Sequence, residues 1–175
     1  MKRFYLVFVG LLLAVTVNAQ SVKPLEFEIF GGVTVGLGNV KIDKPLGLKL
    51  GVGAGIEARY NMDNNVDIAL QGNIATIGPA SGKCWFYTSA LAFADYQINM
   101  QSGILSVGLG AGIQRKVLSD SKDYGESPLK QDEKTGFCVA PRVSYRISNH
   151  VRLSLTDYIA NKTHNTLCLS VGYVF

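Results

Sequence analysis

Asn165-Thr166-Leu167-Cys168-Leu169-Ser170-Val171-Gly172-Tyr173-Val174-Phe175, the stretch at the C-terminal end of the sequence, decides how the rest is read. Successive side chains of a strand point to opposite faces. Leu167, Leu169, Val171, Tyr173 and Phe175 therefore share one face, and Cys168, Ser170, Gly172 and Val174 share the other. The first face is apolar throughout and finishes on two aromatics. A sheet in water rarely exposes such a Tyr-x-Phe ending, whereas a strand whose outer face meets lipid places aromatics at the membrane interface.

The same two-residue period recurs upstream. Leu25 to Gly38 alternates Leu25, Phe27, Ile29, Val33, Val35 and Leu37 with Glu26, Glu28, Phe30, Gly32, Thr34 and Gly36. Leu46 to Tyr60 sets Leu, Val, Ala, Ile and Tyr against glycines, Lys49, Glu57 and Arg59. Val66 to Ile77 places Ile68, Leu70 and Ile74 opposite Asp67, Gln71 and Asn73, and Gly103 to Lys116 places Leu105, Val107, Leu109, Ala111 and Ile113 opposite Ser106, three glycines and Gln114. Thr135 to Ile147 and Val151 to Tyr158 complete the series. Cys84 to Ile98 is apolar on both sides, with Trp85, Tyr87, Leu91 and Phe93 on one face and Phe86, Ala90, Ala92 and Tyr96 on the other. Its bulkier set is expected in lipid.

Eight strands result, and the connections between them alternate in length. Asn61 to Asn65, Asn99 to Ser102 and Ser148 to His150 are tight, while Asn39 to Pro45, Gly78 to Lys83, Val117 to Lys134 and Ile159 to His164 are longer. Every tight turn thus falls on one rim and every longer loop on the other, as in an outer-membrane barrel with short periplasmic turns. The expected fold is all-β, an eight-stranded antiparallel up-and-down transmembrane β-barrel. A soluble ligand-binding barrel alternates too, but the polar face here carries Glu26, Glu28, Glu57 and Asp67 against Arg59, Arg142, Arg146 and Arg152. Such a balance suits a narrow lumen, where a lone buried charge is costly, and eight strands leave an interior that side chains fill. A charge-paired plug rather than a diffusion pore is expected. Phe27, Tyr60, Tyr145, Tyr173 and Phe175 would form the girdle at the turn rim, and Trp85, Tyr87 and Phe137 the one at the loop rim.

The address agrees. Met1-Lys2-Arg3, an apolar run from Phe4 to Val17 and then Asn18-Ala19-Gln20 have the form of a secretory signal cleaved after Ala19, leaving residues 20–175 as one domain. The run is too short to span a bilayer comfortably, and Gln20 rather than Cys excludes a lipoprotein. Of 17 basic and 13 acidic residues, Lys2 and Arg3 leave with the signal, so the net charge falls from +4 to +2. With no basic run interleaved with aromatics, nucleic-acid binding has no support. Cys84, Cys138 and Cys168 are an odd count, so at least one is unpaired within the chain. All three fall near the loop rim on strands two apart, beyond the ~7 Å reach of a disulfide, and are expected as small packed residues.

Ile104 to Ile113, Pro141 to Leu155 and Leu167 to Phe175 together resemble the small outer-membrane β-barrel family that includes the PorT-like and OmpX/OmpA-type barrels. The resemblance covers nearly all of residues 20–175. It implies outer-membrane lipid as surroundings and recognition of the terminal aromatic by the barrel-insertion machinery; a monomer with no assigned external partner is expected. It carries no catalytic motif, and no catalytic, cofactor-binding or metal-ligating residue is assigned. The period-two glycines of Gly51-Val-Gly-Ala-Gly55 and Gly108-Leu-Gly-Ala-Gly112 lack the helix that a phosphate loop requires; they are expected to make luminal room for Arg and Tyr side chains. His150 in a turn and His164 in a loop join no nucleophile. Three functions stay open: a structural or interaction barrel, an adhesion or ligand-binding barrel acting through the charged loop 117–134, and a lipid-modifying enzyme.

Overall fold

The computed structural model describes residues 25–37, 50–62, 65–78, 83–120, 134–160 and 165–175. Eight strands form, β1 (Leu25–Leu37), β2 (Leu50–Met62), β3 (Val66–Ile77), β4 (Lys83–Met100), β5 (Gly103–Asp120), β6 (Lys134–Arg146), β7 (Val151–Ile159) and β8 (Asn165–Val174). Each pairs antiparallel with its neighbours in sequence, and β8 returns to β1 through pairs such as Ile29↔Tyr173 and Val33↔Leu169, closing the barrel. Closure satisfies every strand edge, which is what allows strands to stand in hydrocarbon. The main-chain N–H of Phe175 donates to the Phe27 carbonyl at 2.8 Å, which ties the C-terminal residue into the turn rim.

The usual burial order of a protein in water is inverted. Ile29, Val52, Ile56, Leu70, Ile74, Leu109, Leu169 and Val171 are exposed on the outer wall, while Glu57, Arg59, Asp67, Asp95 and Arg142 are buried in the lumen. Water would penalise the first set and a lone buried charge the second, so this arrangement is favourable only with lipid outside and ion pairs within. Even β7, with nine residues, rises roughly 23 Å at a tilt of ~40°, close to the ~25 Å apolar band of such barrels.

On β4 the expected facing is reversed. Tyr87, Leu91 and Phe93 are buried in the lumen, Trp85 lies on the same inward parity, and Phe86, Tyr96 and Ile98 are exposed outside. The physical reason is Asp95, which shares that parity. A carboxylate on the lipid face is costly, and bulky rings inside fill space that alanines would leave empty. The loop-rim girdle is consequently Phe86 and Phe137 rather than Trp85, Tyr87 and Phe137, and the turn-rim girdle gains Tyr96. There Tyr173 stacks on His150 at 5.4 Å and meets Phe175 edge-on at 5.0 Å.

The strand ends also move. β5 continues past Lys116 to Asp120, so the charged connection shortens to 121–133, which lies outside the described residues, as do residues 1–19 of the expected leader, His164 and residues 46–49 of the expected second strand. Pro141, on the outer face of β6, interrupts the β6–β7 ladder between the pairs Val139↔Ile159 and Arg142↔Thr156, because proline has no N–H to donate.

Candidate functional site

The turn-rim half of the lumen is an ion-pair network assembled from six strands. Strand alternation places Glu26 and Glu28 of β1, Glu57 and Arg59 of β2, Asp67 of β3, Asp95 of β4, Arg142 and Arg146 of β6 and Arg152 of β7 on inward parity. Arg142 is its centre. It grips Asp95 with two bonds, one of them Nε to Oδ1 at 2.9 Å, and it also reaches both oxygens of Glu57, with Nη2 to Oε1 at 3.2 Å. β2 and β6 stand on opposite sides of an eight-stranded ring, so the Arg142–Glu57 bond crosses the lumen. A two-point grip on a carboxylate fixes orientation as well as charge.

The remaining arginines complete the layer. Arg59 donates to Glu57 at 2.7 Å and Asp67 at 3.1 Å and lies 3.2 Å from Asp95. Arg152 binds Glu28 at 2.5 Å, with Glu26 at 3.6 Å and Glu57 at 3.9 Å. Glu57 therefore meets three guanidinium groups. Arg146 binds Glu26 at 2.7 Å and, through Nη2, the Asn149 carbonyl at 2.7 Å, tying the network to the β6–β7 turn. All eight charged residues expected in the lumen enter this network. The ninth, Asp95, was hidden by the misassigned facing of β4, although Gly108 opposite it in register was a signal. The network therefore holds five carboxylates against four guanidiniums, not four of each.

Above the charges the lumen turns apolar. The Arg142 guanidinium lies 3.9 Å over the Phe93 ring, an attractive cation–π geometry. Beyond it, Ala69, Leu91, Phe93, Cys138, Ala140, Tyr158 and Cys168 form one packed cluster, and Ala75, Ile77 and Tyr87 a second, with Trp85 against it. Tyr158 keeps its hydroxyl satisfied by donating to Gln71 at 3.0 Å. All three cysteines are free thiols; Cys138 and Cys168 are buried, and Cys84 is partly exposed. The glycines do make room, but for other occupants than expected. A Cβ on Gly108 would meet the Asp95 carboxylate, one on Gly110 the Phe93 ring, one on Gly55 the Phe30 ring and one on Gly172 Glu28.

Chemically, the network holds walls together and presents no poised nucleophile. His150, the described histidine, donates from Nδ1 to the Val174 carbonyl at 3.0 Å, and not to a hydroxyl or thiol. Among the described residues, no group of three or more His, Cys, Asp or Glu side chains is disposed to hold a metal ion.

Comparison with known proteins agrees with this architecture. The chain is similar to Neisserial surface protein A (NspA), with a TM-score of 0.60 and 19% identity over 86% of this chain and 96% of that one. It is also similar to Ail, the attachment invasion locus protein of Yersinia pestis, with a TM-score of 0.51 and 18% identity over 86% of this chain and 98% of that one. For Ail in complex with the heparin analogue sucrose octasulfate the TM-score is 0.56 and the identity 21%, over 86% and 99% of the two chains. At such identities the likeness is one of fold. No curated protein matches the chain. Residues 8–175 match the family described as outer membrane protein beta-barrel domain, so the chain belongs to that family and resides in the bacterial outer membrane with lipid around its wall.

Proposed function

We propose that this protein is a structural or interaction barrel of the outer membrane, its lumen closed to diffusion by ion pairs and its work done at its outer surfaces. The observation that carries the reading is Arg142, which binds Asp95 on one side and Glu57 across the lumen on the other. Hydrated ions need a continuous water column, and side chains bonded across the barrel leave little room for one. In this reading residues 1–19 are a secretory leader, residues 20–175 are inserted by the barrel-assembly machinery, and the folded protein is a monomer that catalyses nothing. Liposomes carrying the folded protein should not swell in small sugars. Swelling at a porin-like rate would overturn the closed lumen, and turnover in a lipid-modification assay would overturn the non-enzymatic part.

An adhesion or ligand-binding role through the loop between β5 and β6 is the second reading. What favours it is the height of the wall beneath that loop, since β5 and β6 stay paired out to Lys116↔Lys134, well beyond the last β6–β7 pair at Val139↔Ile159. Ail, with the same fold, is named an attachment invasion locus protein. Deleting residues 121–133 separates the two readings. If the barrel still inserts while binding to host cells or polyanions disappears, adhesion is the function; if no binding exists to be lost, the structural reading stands.

A further inference from the structure

We infer that the outer wall carries a seat for one acyl chain of a phospholipid from the periplasmic leaflet, in a groove across β3, β4 and β5. The groove is an open, shallow recess of about 400 Å³ lined by Val66, Ala94, Tyr96, Val107 and Leu109, together with Asp95 and Gly108. Its origin is the inverted facing of β4. Because the bulky residues of that strand fill the lumen, the outer face is left with Ala94 between the longer Ile68 and Leu109, its partners in register on β3 and β5. The wall is therefore recessed there, with Leu109 and Tyr96 standing exposed beside it.

The location selects the occupant. The groove lies on the lipid-facing wall and continues the apolar surface already in contact with the bilayer, so a hydrocarbon chain is what covers it. Its lower end is Tyr96, at the girdle level and a few residues from the β4–β5 turn. Tight turns face the periplasm in barrels of this class, so the adjoining leaflet is phospholipid. A ring with a polar tip suits that interface, and it places the headgroup beside Tyr96 and the chain upward along Ala94. Filling a recess with methylenes restores dispersion contacts that a gap forfeits.

The test is native mass spectrometry of the folded protein released from nanodiscs of mixed phospholipid and lipopolysaccharide, with Ala94→Phe filling the groove and Ala58→Phe adding the same bulk on the outer face of β2, away from it. Wild type and Ala58→Phe should each retain one phospholipid, and Ala94→Phe should lower the retained fraction at least tenfold. Heat-modifiable gel mobility confirms that each variant is folded, and Ala94→Ile serves should the phenylalanine variant fail to insert. Wild type shedding its lipid as readily as Ala94→Phe would overturn the proposal, as would equal loss from Ala58→Phe. Retention of lipopolysaccharide in place of phospholipid, or of a second copy of the chain, would overturn the assigned occupant.

Discussion

Replacing Arg142 with alanine removes the guanidinium that joins β6 to both β2 and β4. Arg142, Glu57 and Asp95 are 4%, 3% and 2% exposed, and removing one partner of a buried ion pair costs about 3–5 kcal/mol. Two features of the site adjust that figure in opposite directions. Glu57 and Asp95 keep Arg59 at 2.7 and 3.2 Å, so neither carboxylate is stranded. The cation–π contact with Phe93 at 3.9 Å is lost as well, a further ~0.5–2 kcal/mol. The expected destabilisation of Arg142→Ala is therefore about 3–5 kcal/mol. A double-mutant cycle with Asp95→Ala should return a coupling of about 2–3 kcal/mol, the upper part of the range for residues in one network. Urea unfolding from phospholipid vesicles can be followed by the emission of Trp85, the single tryptophan, whose ring lies 5.4 Å from the Lys116 ammonium. A loss below ~1 kcal/mol with negligible coupling, the level of an exposed pair, would refute the claim that the network binds the walls together.

Three further substitutions probe the wall and its facing. Leu155→Arg, on the lipid face at a residue 44% exposed, should cost ~2–4 kcal/mol, whereas Phe175→Arg at the rim should cost ~0–1 kcal/mol in folded stability while slowing insertion; equal effects in vesicle unfolding would contradict the assigned membrane depth. Leu91→Ala in the lumen should cost ~2–5 kcal/mol, and Ala92→Leu on the lipid side should change stability by less than ~0.5 kcal/mol. The reverse order in the same titration would restore the opposite facing of β4. Gly110→Val, which places a side chain on the Phe93 ring, should cost at least ~1–3 kcal/mol, and Phe93→Ala in the same chain should recover part of that loss.

How much of this was legible in the sequence depends on which physical signal dominates each strand. The β3 alternation of Ile68, Leu70 and Ile74 with Asp67, Gln71 and Asn73 is unambiguous, and its span Val66–Ile77 is recovered as expected. On β4 hydrophobic bulk lies on both faces and is a weak discriminator, while the one carboxylate, Asp95, is a strong one and sets the facing. β5 runs on past Lys116 because pairing with β4 continues through Val117, Leu118 and Ser119 to Asp120, and a backbone ladder needs no apolar alternation to continue. The charged residues themselves were visible as an inward-facing set. Which partner each takes was not, since Arg142 and Glu57 lie 85 residues apart and only barrel closure brings β2 and β6 face to face. The same holds for the glycines: vacated space is readable from Gly108 and Gly110, but the identity of its occupants, Asp95 and Phe93, depends on the register with β4.

Planar-bilayer recording of the folded wild-type protein tests the closed lumen most directly. With Arg142 bonded to Glu57 across the barrel and the Phe93 cluster packed above it, membranes that demonstrably contain the inserted barrel should carry no more steady current than protein-free membranes at the same voltage. Stable, discrete open steps from the wild-type protein would contradict the account.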